Sequence, residues 1–213
     1  MKTDAFVALL AAGSGPVEAG APTRRIVLAL AGGGLISFLL MATLLGVRTT
    51  LWQDAPQPML WVKFAFVTAL AGAGLVLARR LSCPGQPVAR PLQMLATPVL
   101  ALWVLAATVL LAAEPAARPA LVLGQTWQDC GYRIAALSAP GVVAVLLAMR
   151  GLAPTRLRLA GAAAGLLAGA AGALVYAMHC PELAAPFLAV WYVLGISIPA
   201  ALGALIGPRV LRW

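Results

Sequence analysis

Charged residues are scarce in this 213-residue chain. Only 10% of its residues are charged and 62% are hydrophobic, whereas a soluble domain has about 25% charged and 45–50% apolar residues. This scarcity excludes an ordinary soluble domain and indicates an integral membrane protein, in agreement with a mean hydropathy of +0.96. No charged residue lies in the middle of a long apolar run. Ion-coupled transporters need such groups, so a small transporter or permease is only the alternative interpretation.

Histidine and cysteine are also scarce. The chain has one histidine and three cysteines, too few for a disulfide scaffold, a zinc finger, or a haem or di-metal enzyme site. No Ser/His/Asp set is available either, so we expect neither an enzyme nor a resident cofactor. The net charge is +9, but the basic residues occupy separate short loops. This pattern does not form a nucleic-acid-binding face, so we expect no direct nucleic-acid partner.

Long apolar runs are what the chain has in abundance. A helix needs about 20 apolar residues to cross a bilayer, and lipid offers no partner to an unpaired backbone group. Prolines and charges separate the runs. The sequence therefore predicts an all-α bundle of six transmembrane helices, with the lipid bilayer as a partner, over residues 26–47, 60–78, 92–113, 131–149, 159–178 and 187–206.

Lys and Arg predict the orientation of this bundle. With the amino terminus in the cytoplasm, the cytoplasmic side holds all fifteen Lys and Arg residues except Arg48, Lys63, Arg118 and Arg133. The positive-inside rule then places both termini in the cytoplasm. Lys63 and Arg133 lie just inside the runs, where long side chains can reach the surface. Most tryptophans and tyrosines fall near the outer ends, as in an interfacial belt: Trp52, Trp61, Trp127, Tyr132, Tyr176, Trp191 and Tyr192.

A ladder of small residues marks the fifth run. Gly161, Gly165, Gly169 and Ala173 recur every four positions and line one stripe of a helix. Such a stripe lets a neighbouring helix approach closely in lipid. We interpret it as a site of helix contact rather than transport, and a homo-oligomer formed through it is an open alternative.

Two cysteines lie on the predicted outer side, where an external agent can reach them. Cys130 precedes the fourth run and Cys180 follows the fifth, next to His179, while Cys83 lies in an inner loop. Thiolate and imidazole suit a soft metal ion, so Cys130, Cys180 and His179 could bind one transiently, with Glu182 or Asp129 as an oxygen ligand. A Cys130–Cys180 disulfide is the rival event, and inert apolar thiols are the third alternative.

The amino-terminal segment has the pattern of a short helix. Thr3 and Asp4 are typical helix-start residues, and Gly13-Ser14-Gly15-Pro16 is a stop signal. Between them lies an apolar face that could dock into a partner or lie on the membrane; it consists of Phe6, Val7, Leu9 and Leu10. Residues 1–25 are thus predicted to form a cytoplasmic segment and residues 26–213 a six-helix transmembrane domain.

Three motifs in this order resemble a known family. They are the opening Met1-Lys2-Thr3-Asp4, the outer Trp127-x-x-Cys130, and Tyr176-Ala-Met-His179-Cys180-Pro181-Glu182 followed by Trp191-Tyr192. Together with six predicted helices they resemble the NrsF-like anti-sigma factors, six-span proteins of the bacterial inner membrane. After Asp4, however, the chain continues Ala5-Phe6-Val7, where a second acidic residue and Leu-Ile are typical of that family.

The resemblance implies a function for both ends of the chain. It implies a membrane-bound anti-sigma factor that holds an extracytoplasmic-function sigma factor through Thr3, Asp4, Phe6, Val7, Leu9 and Leu10. It also implies that Cys130 and Cys180 sense heavy metal or oxidative stress on the periplasmic side and free the sigma factor.

Overall fold

The computed structural model describes residues 3–12 and 20–212, except for the side chain of Leu10. Within these residues all regular secondary structure is helical, which confirms the predicted fold class. The helices are α1 (Thr3–Ala12), α2 (Ala21–Leu40), α3 (Pro58–Leu81), α4 (Ala89–Ala112), α5 (Arg118–Leu123), α6 (Trp127–Arg150), α7 (Leu157–Ala177), α8 (Ala185–Phe187) and α9 (Val193–Val210). The predicted helix stop at residues 13–16 lies outside the described residues.

Six segments are long and apolar enough to cross a membrane, in the order that hydropathy predicts. They are Ala21–Leu45, Pro58–Leu81, Ala89–Ala112, Arg118–Arg150, Leu157–Ala177 and Ala185–Val210. Five of them start earlier in the chain than predicted by two to five residues, and the fourth starts at Arg118 instead of 131 because α5 and the first turn of α6 precede it. Polar residues such as Gln128 and Asp129 in that turn interrupt the apolar pattern without ending the helix.

The predicted small-residue ladder lies in the interface between α7 and α9, the helix pair with the most extensive contact in the bundle. A Cβ atom on Gly161 would overlap the carbonyl oxygen of Gly203, and one on Gly165 would overlap that of Pro199. The two backbones therefore touch, which is the close approach that such a stripe permits. Because the ladder is covered by α9 of the same chain, a homo-oligomer stays a prediction without an assigned face.

Two π-helical turns interrupt the long helices. One, Met41–Leu45, ends the segment that begins with α2, and the other, Leu188–Tyr192, leads into α9. Such turns are rare and occur frequently at functional sites. At one end of the bundle, the chain that follows α7 is hydrogen-bonded to the first two turns of α3 and α6 and to the residues after the π-helical turn Met41–Leu45. We call this the thiol end, because it holds two of the three cysteines.

Candidate functional site

The two predicted outer cysteines meet at the thiol end. Cys130 lies in the first turn of α6, where its N–H donates to the carbonyl of Thr126 at 3.0 Å. Cys180 follows α7, and its N–H donates to the carbonyl of Tyr176 at 3.0 Å. Fifty residues apart in sequence, the two free thiols lie in the same buried cluster, close enough for each to affect the protonation of the other. Cys83 lies apart from them, after α3.

Neither thiol is exposed as the sequence led us to expect. The exposed fraction of both Cys130 and Cys180 is 0%. They belong to one apolar cluster that also contains Tyr176, Phe187 and Tyr192. Tyr176 and Tyr192, predicted to form part of an interfacial belt, are instead 1% and 0% exposed. An external reagent therefore reaches the thiols only after the surrounding loop opens.

Lys63 is the residue whose role sequence reasoning missed most clearly. It lies in the second turn of α3 and is 0% exposed, so the prediction that its side chain reaches the surface is wrong. Its Nζ donates to the carbonyl of Cys180 at 2.8 Å and to that of Glu182 at 3.1 Å. It also lies 5.1 Å from the ring centroid of Tyr192, within cation–π range. These contacts hold the ammonium inside the cluster and beside the thiols.

The charge of Lys63 has no carboxylate within ion-pair distance in the described part of the chain. A buried charge is costly unless it is compensated, and the ionisable groups beside Lys63 include both thiols. The neighbouring Cys130 thiol and the charge of Lys63 lower the pKa of the Cys180 thiol well below its ordinary value, although burial acts in the opposite direction. Cys180 is thus favoured as a thiolate, the reactive form of cysteine.

His179 uses both of its ring nitrogens. Nδ1 lies 2.9 Å from the carbonyl oxygen of Gly46, and Nε2 lies 3.3 Å from a guanidinium nitrogen of Arg133. A carbonyl can only accept and a guanidinium can only donate, so Nδ1 carries the proton and Nε2 accepts. Arg133 also donates to Asp129 at 2.7 Å. The lone pair that would bind a metal ion is therefore already occupied.

The predicted oxygen ligands are engaged as well. The Glu182 carboxylate accepts the N–H of Gln125 at 2.7 Å and lies 3.5 Å from the Thr126 hydroxyl. Asp129 pairs with Arg133 at 2.7 Å. Among residues 3–12 and 20–212 no group of three or more His, Cys, Asp or Glu is arranged to hold a metal ion. A metal at Cys130, Cys180 and His179 stays a prediction that requires these contacts to rearrange.

Arg48 is a second buried cation at the thiol end. Its backbone N–H donates to the carbonyl of Met178 at 3.1 Å. Its side chain is 7% exposed and lies 3.1 Å from the Asp54 carboxylate. Among the described residues, its guanidinium nitrogens have no partner that meets hydrogen-bond geometry. The ion pair with Asp54 is therefore the contact that compensates this buried charge.

The predicted sigma-binding residues lie far from this cluster in sequence, on α1. Thr3, Asp4, Phe6, Val7 and Leu9 are all exposed, and the side chain of Leu10 lies outside the described residues. Phe6, Val7 and Leu9 are 46%, 58% and 69% exposed. Short helices are marginal alone in water, so an uncovered apolar face of this kind is compatible with a segment that docks elsewhere.

A signal in the sequence could have identified Lys63 and Arg48. Both belong to the few basic residues on the predicted outer side, where the positive-inside rule disfavours them. A basic residue that departs from this rule indicates a local role. The contact between the thiols has no such signal, because nothing in a separation of fifty residues predicts it.

The chain is similar to known proteins along its whole length. A family model described as "NrsF: Negative regulator of sigma F" matches residues 10–213. The chain is 50% identical over 213 residues to the probable anti-sigma-F factor NrsF of Azospira oryzae, with 100% of each chain covered. It is 37% identical over 225 residues to the anti-sigma-F factor NrsF of Caulobacter vibrioides, again with 100% of each covered. No solved structure matches the chain.

The family match covers the six long helices and both buried thiols, and the two relatives extend the similarity over α1. The chain therefore belongs to the NrsF family of negative regulators of sigma factors, whose role is regulatory and not enzymatic.

Proposed function

We propose that this chain is an anti-sigma factor of the bacterial inner membrane that holds an extracytoplasmic-function sigma factor at the cytoplasmic surface. In this proposal both termini are cytoplasmic, residues 1–25 bind the sigma factor, and residues 26–213 span the bilayer. Chemical change at Cys130 and Cys180, on the periplasmic side, lowers the affinity for the sigma factor and frees it.

The exposed apolar residues of α1 support the sigma-binding part of the proposal. An uncovered apolar helix face suits docking into a groove of a partner protein, and Phe6, Val7 and Leu9 form that face. Asp4 in the first turn provides the charge that favours a helix amino terminus. The relatives that share the whole chain length are described as anti-sigma-F factors, which supports a sigma factor as the partner.

The burial of the Cys130 and Cys180 thiols in one cluster, beside the Lys63 ammonium, is the observation that carries the sensing part. Two thiols in contact can form a disulfide with little backbone movement, provided that their Cα atoms lie within about 7 Å. Lys63 beside them favours the thiolate that attacks an oxidant. Burial and a nearby cation thus give this pair a chemistry that isolated apolar cysteines lack.

Oxidation fits this site better than metal binding does. A disulfide needs only the two sulfurs, whereas a soft metal needs further ligands, and His179, Glu182 and Asp129 are engaged in other contacts. A metal response therefore requires the loop that carries His179 to open first. No observation within residues 3–12 and 20–212 favours the transporter alternative.

A pull-down tests the sigma-binding segment. The chain with and without residues 1–20 is solubilised in mild detergent and incubated with the purified sigma factor that it represses. We expect the truncated chain to lose most of the recovery, because it lacks α1. Equal recovery by both forms would remove the proposed binding segment.

A reporter assay tests the thiol sensor. A sigma-dependent promoter is followed after exposure of cells to diamide, a thiol oxidant, and separately to cadmium. We expect the double variant Cys130→Ser and Cys180→Ser to repress normally and to lose the response. Cys83→Ser is the matched control and should respond like the unmodified chain. A full response in the double variant would remove the sensor.

A further inference from the structure

Two hydrogen bonds tie the loop after α7 to the end of the first candidate span. The Nδ1–H of His179 donates to the carbonyl of Gly46 at 2.9 Å, and the N–H of Arg48 donates to the carbonyl of Met178 at 3.1 Å. Gly46 directly follows the π-helical turn Met41–Leu45, and its φ of +77° suits glycine. His179, the neighbour of Cys180 in the chain, is thus hydrogen-bonded to the residue that follows the segment Ala21–Leu45.

That segment is the one that leads to α1. The helix α2 and its π-helical turn form a continuous segment of 25 residues, about 37 Å at 1.5 Å per residue. Its other end begins at Ala21, a few residues after α1 ends at Ala12. A displacement at Gly46 therefore acts on the element nearest in the chain to the proposed sigma-binding residues.

Few residues of this segment are buried along its length. Its buried residues within α2 are only Ile26, Gly33 and Ser37, and its main neighbour is α6. Ser37 donates to the carbonyl of Leu137 on α6 at 2.6 Å. The segment thus contacts the helix that carries Cys130 along its side and the loop that carries Cys180 at its end.

His179 connects all three parts of this arrangement. It precedes Cys180 in the chain, it accepts from Arg133 of α6 at 3.3 Å, and it donates to Gly46 at 2.9 Å. We propose that His179 is a coupling residue, which transmits a change at the thiol pair to the segment Ala21–Leu45 and so to α1, and that it is not a metal ligand. This inference rests on the proposed sensing function.

The chemical step is the oxidation of two thiols. The two S–H bonds of Cys130 and Cys180 break and one S–S bond forms. The two protons and two electrons that the thiols lose pass to the oxidant, so that the N=N bond of diamide is reduced to a hydrazine. Forming the bond brings the two sulfurs to about 2.05 Å from each other. Hydrogen bonds weaken when the donor–acceptor distance exceeds about 3.2 Å, and the bond between His179 and Gly46 is 2.9 Å long. Because Cys180 directly follows His179, its movement toward Cys130 breaks or redirects this bond.

The test compares two variants of the full chain in inverted membrane vesicles loaded with the sigma factor. His179→Phe keeps a planar ring but removes both nitrogens, and His179→Gln keeps a side chain that can donate to Gly46 and accept from Arg133. Met178→Leu, next to it, is the matched control. After diamide, disulfide formation is followed by mass spectrometry and released sigma factor by sedimentation.

We expect His179→Phe to form the disulfide and to release about fivefold less sigma factor than the unmodified chain, the lower end of typical coupling strengths. His179→Gln and Met178→Leu should release nearly as much as the unmodified chain. If His179→Phe oxidises and releases like the unmodified chain, the coupling role is overturned. Loss of the disulfide in His179→Phe would also overturn it, because the histidine would then organise the thiols.

Cadmium separates coupling from ligation, even if His179→Phe fails to fold. Glutamine does not replace imidazole as a soft-metal ligand. A coupling role predicts that His179→Gln responds to both cadmium and diamide, whereas loss of the cadmium response alone would assign His179 as a ligand and overturn the inference. Loss of both responses in this variant would contradict it too. An unmodified chain that oxidises without releasing sigma factor would overturn the proposed function itself.

Discussion

Helix α7 is held in two different ways along its length. At Gly161 and Gly165 its backbone touches that of α9, and at Gly169 the ring of Pro199 packs against it. At its end and in the loop that follows, from Tyr176 to Glu182, the chain is held by hydrogen bonds with Lys63 and Gly46. In the first region an added side-chain atom would overlap the backbone of α9, whereas the second consists of individual contacts that chemistry can change. The difference indicates that α7 and α9 form the fixed part of the bundle and the thiol end its movable part.

The strongest test of the fixed part is a single added methyl group. Gly165→Ala places a Cβ against the carbonyl of Pro199, and overpacking of this kind costs about 3 kcal/mol. Gly72→Ala is the matched control, because its Cβ meets nothing within 4 Å and alanine is favoured over glycine in a helix by about 1 kcal/mol. The free energy of unfolding is measured in detergent. Equal stability of both variants would show that α7 and α9 can separate at no cost.

A smaller loss of stability is expected when Lys63, in the movable part, is replaced. Lys63→Met removes the donor to the carbonyls of Cys180 and Glu182. Unsatisfied buried acceptors, partly offset by removal of the buried charge, predict a loss of about 2 kcal/mol in unfolding free energy. Arg133→Met, at a partly exposed ion pair, is the control and should cost at most about 1 kcal/mol. The free energy of unfolding of each variant is taken from its unfolding curve. A larger loss in Arg133→Met than in Lys63→Met would contradict the buried role of Lys63.

The acidity of Cys180 sharpens the comparison further. Because its pKa is lowered chiefly by the neighbouring Cys130 thiol, the thiolate should persist below neutral pH and disappear as the pH falls through that lowered pKa. This thiol's contribution to stability is fully present above the pKa of the unfolded chain. It is lost as the pH falls from there through the lowered pKa, because over that range the unfolded state binds a proton that the folded state lacks. Cys130→Ala should raise this pKa, so that the thiolate disappears at a proton concentration about tenfold lower, equivalent to about 1.4 kcal/mol.

The ultraviolet absorbance of the thiolate follows this titration in the folded chain, and Cys83→Ala provides the control background. A Cys130→Ala variant that titrates like the unmodified chain would show that the two thiols do not interact.

The smallest loss of stability is expected for a substitution in the π-helical turn Leu188–Tyr192, where the two regions join. The indole of Trp191 donates to the carbonyl of Val122 at 2.9 Å. Trp191→Phe removes this bond and should cost about 1 kcal/mol. The indole of Trp61 donates to the carbonyl of Ala55 at an exposed position, so Trp61→Phe should stay within about 0.5 kcal/mol. Equal melting temperatures for both variants would show that this turn is not anchored by Trp191.

The sequence predicts the fixed region well and the movable region only in part. Hydropathy and a four-residue spacing are local properties, and they suffice for the six long helices and for the contact face of Gly161, Gly165 and Gly169. The thiol end depends instead on contacts between distant segments. Position in the chain does not reveal that Lys63 turns inward or that Tyr176 and Tyr192 cover the cysteines, because a residue near a helix end can face either lipid or a neighbouring helix.

The proposed mechanism requires the thiol end and α1 to lie on opposite faces of the membrane. Gln125→Cys, exposed beside the thiol end, and Ala12→Cys, exposed at the end of α1, are introduced one at a time into a chain whose three cysteines are replaced by serine. A membrane-impermeant maleimide is then applied to intact spheroplasts and to inverted vesicles. The mechanism predicts labelling of the first variant only in spheroplasts and of the second only in inverted vesicles. Labelling of both from the same side would contradict it.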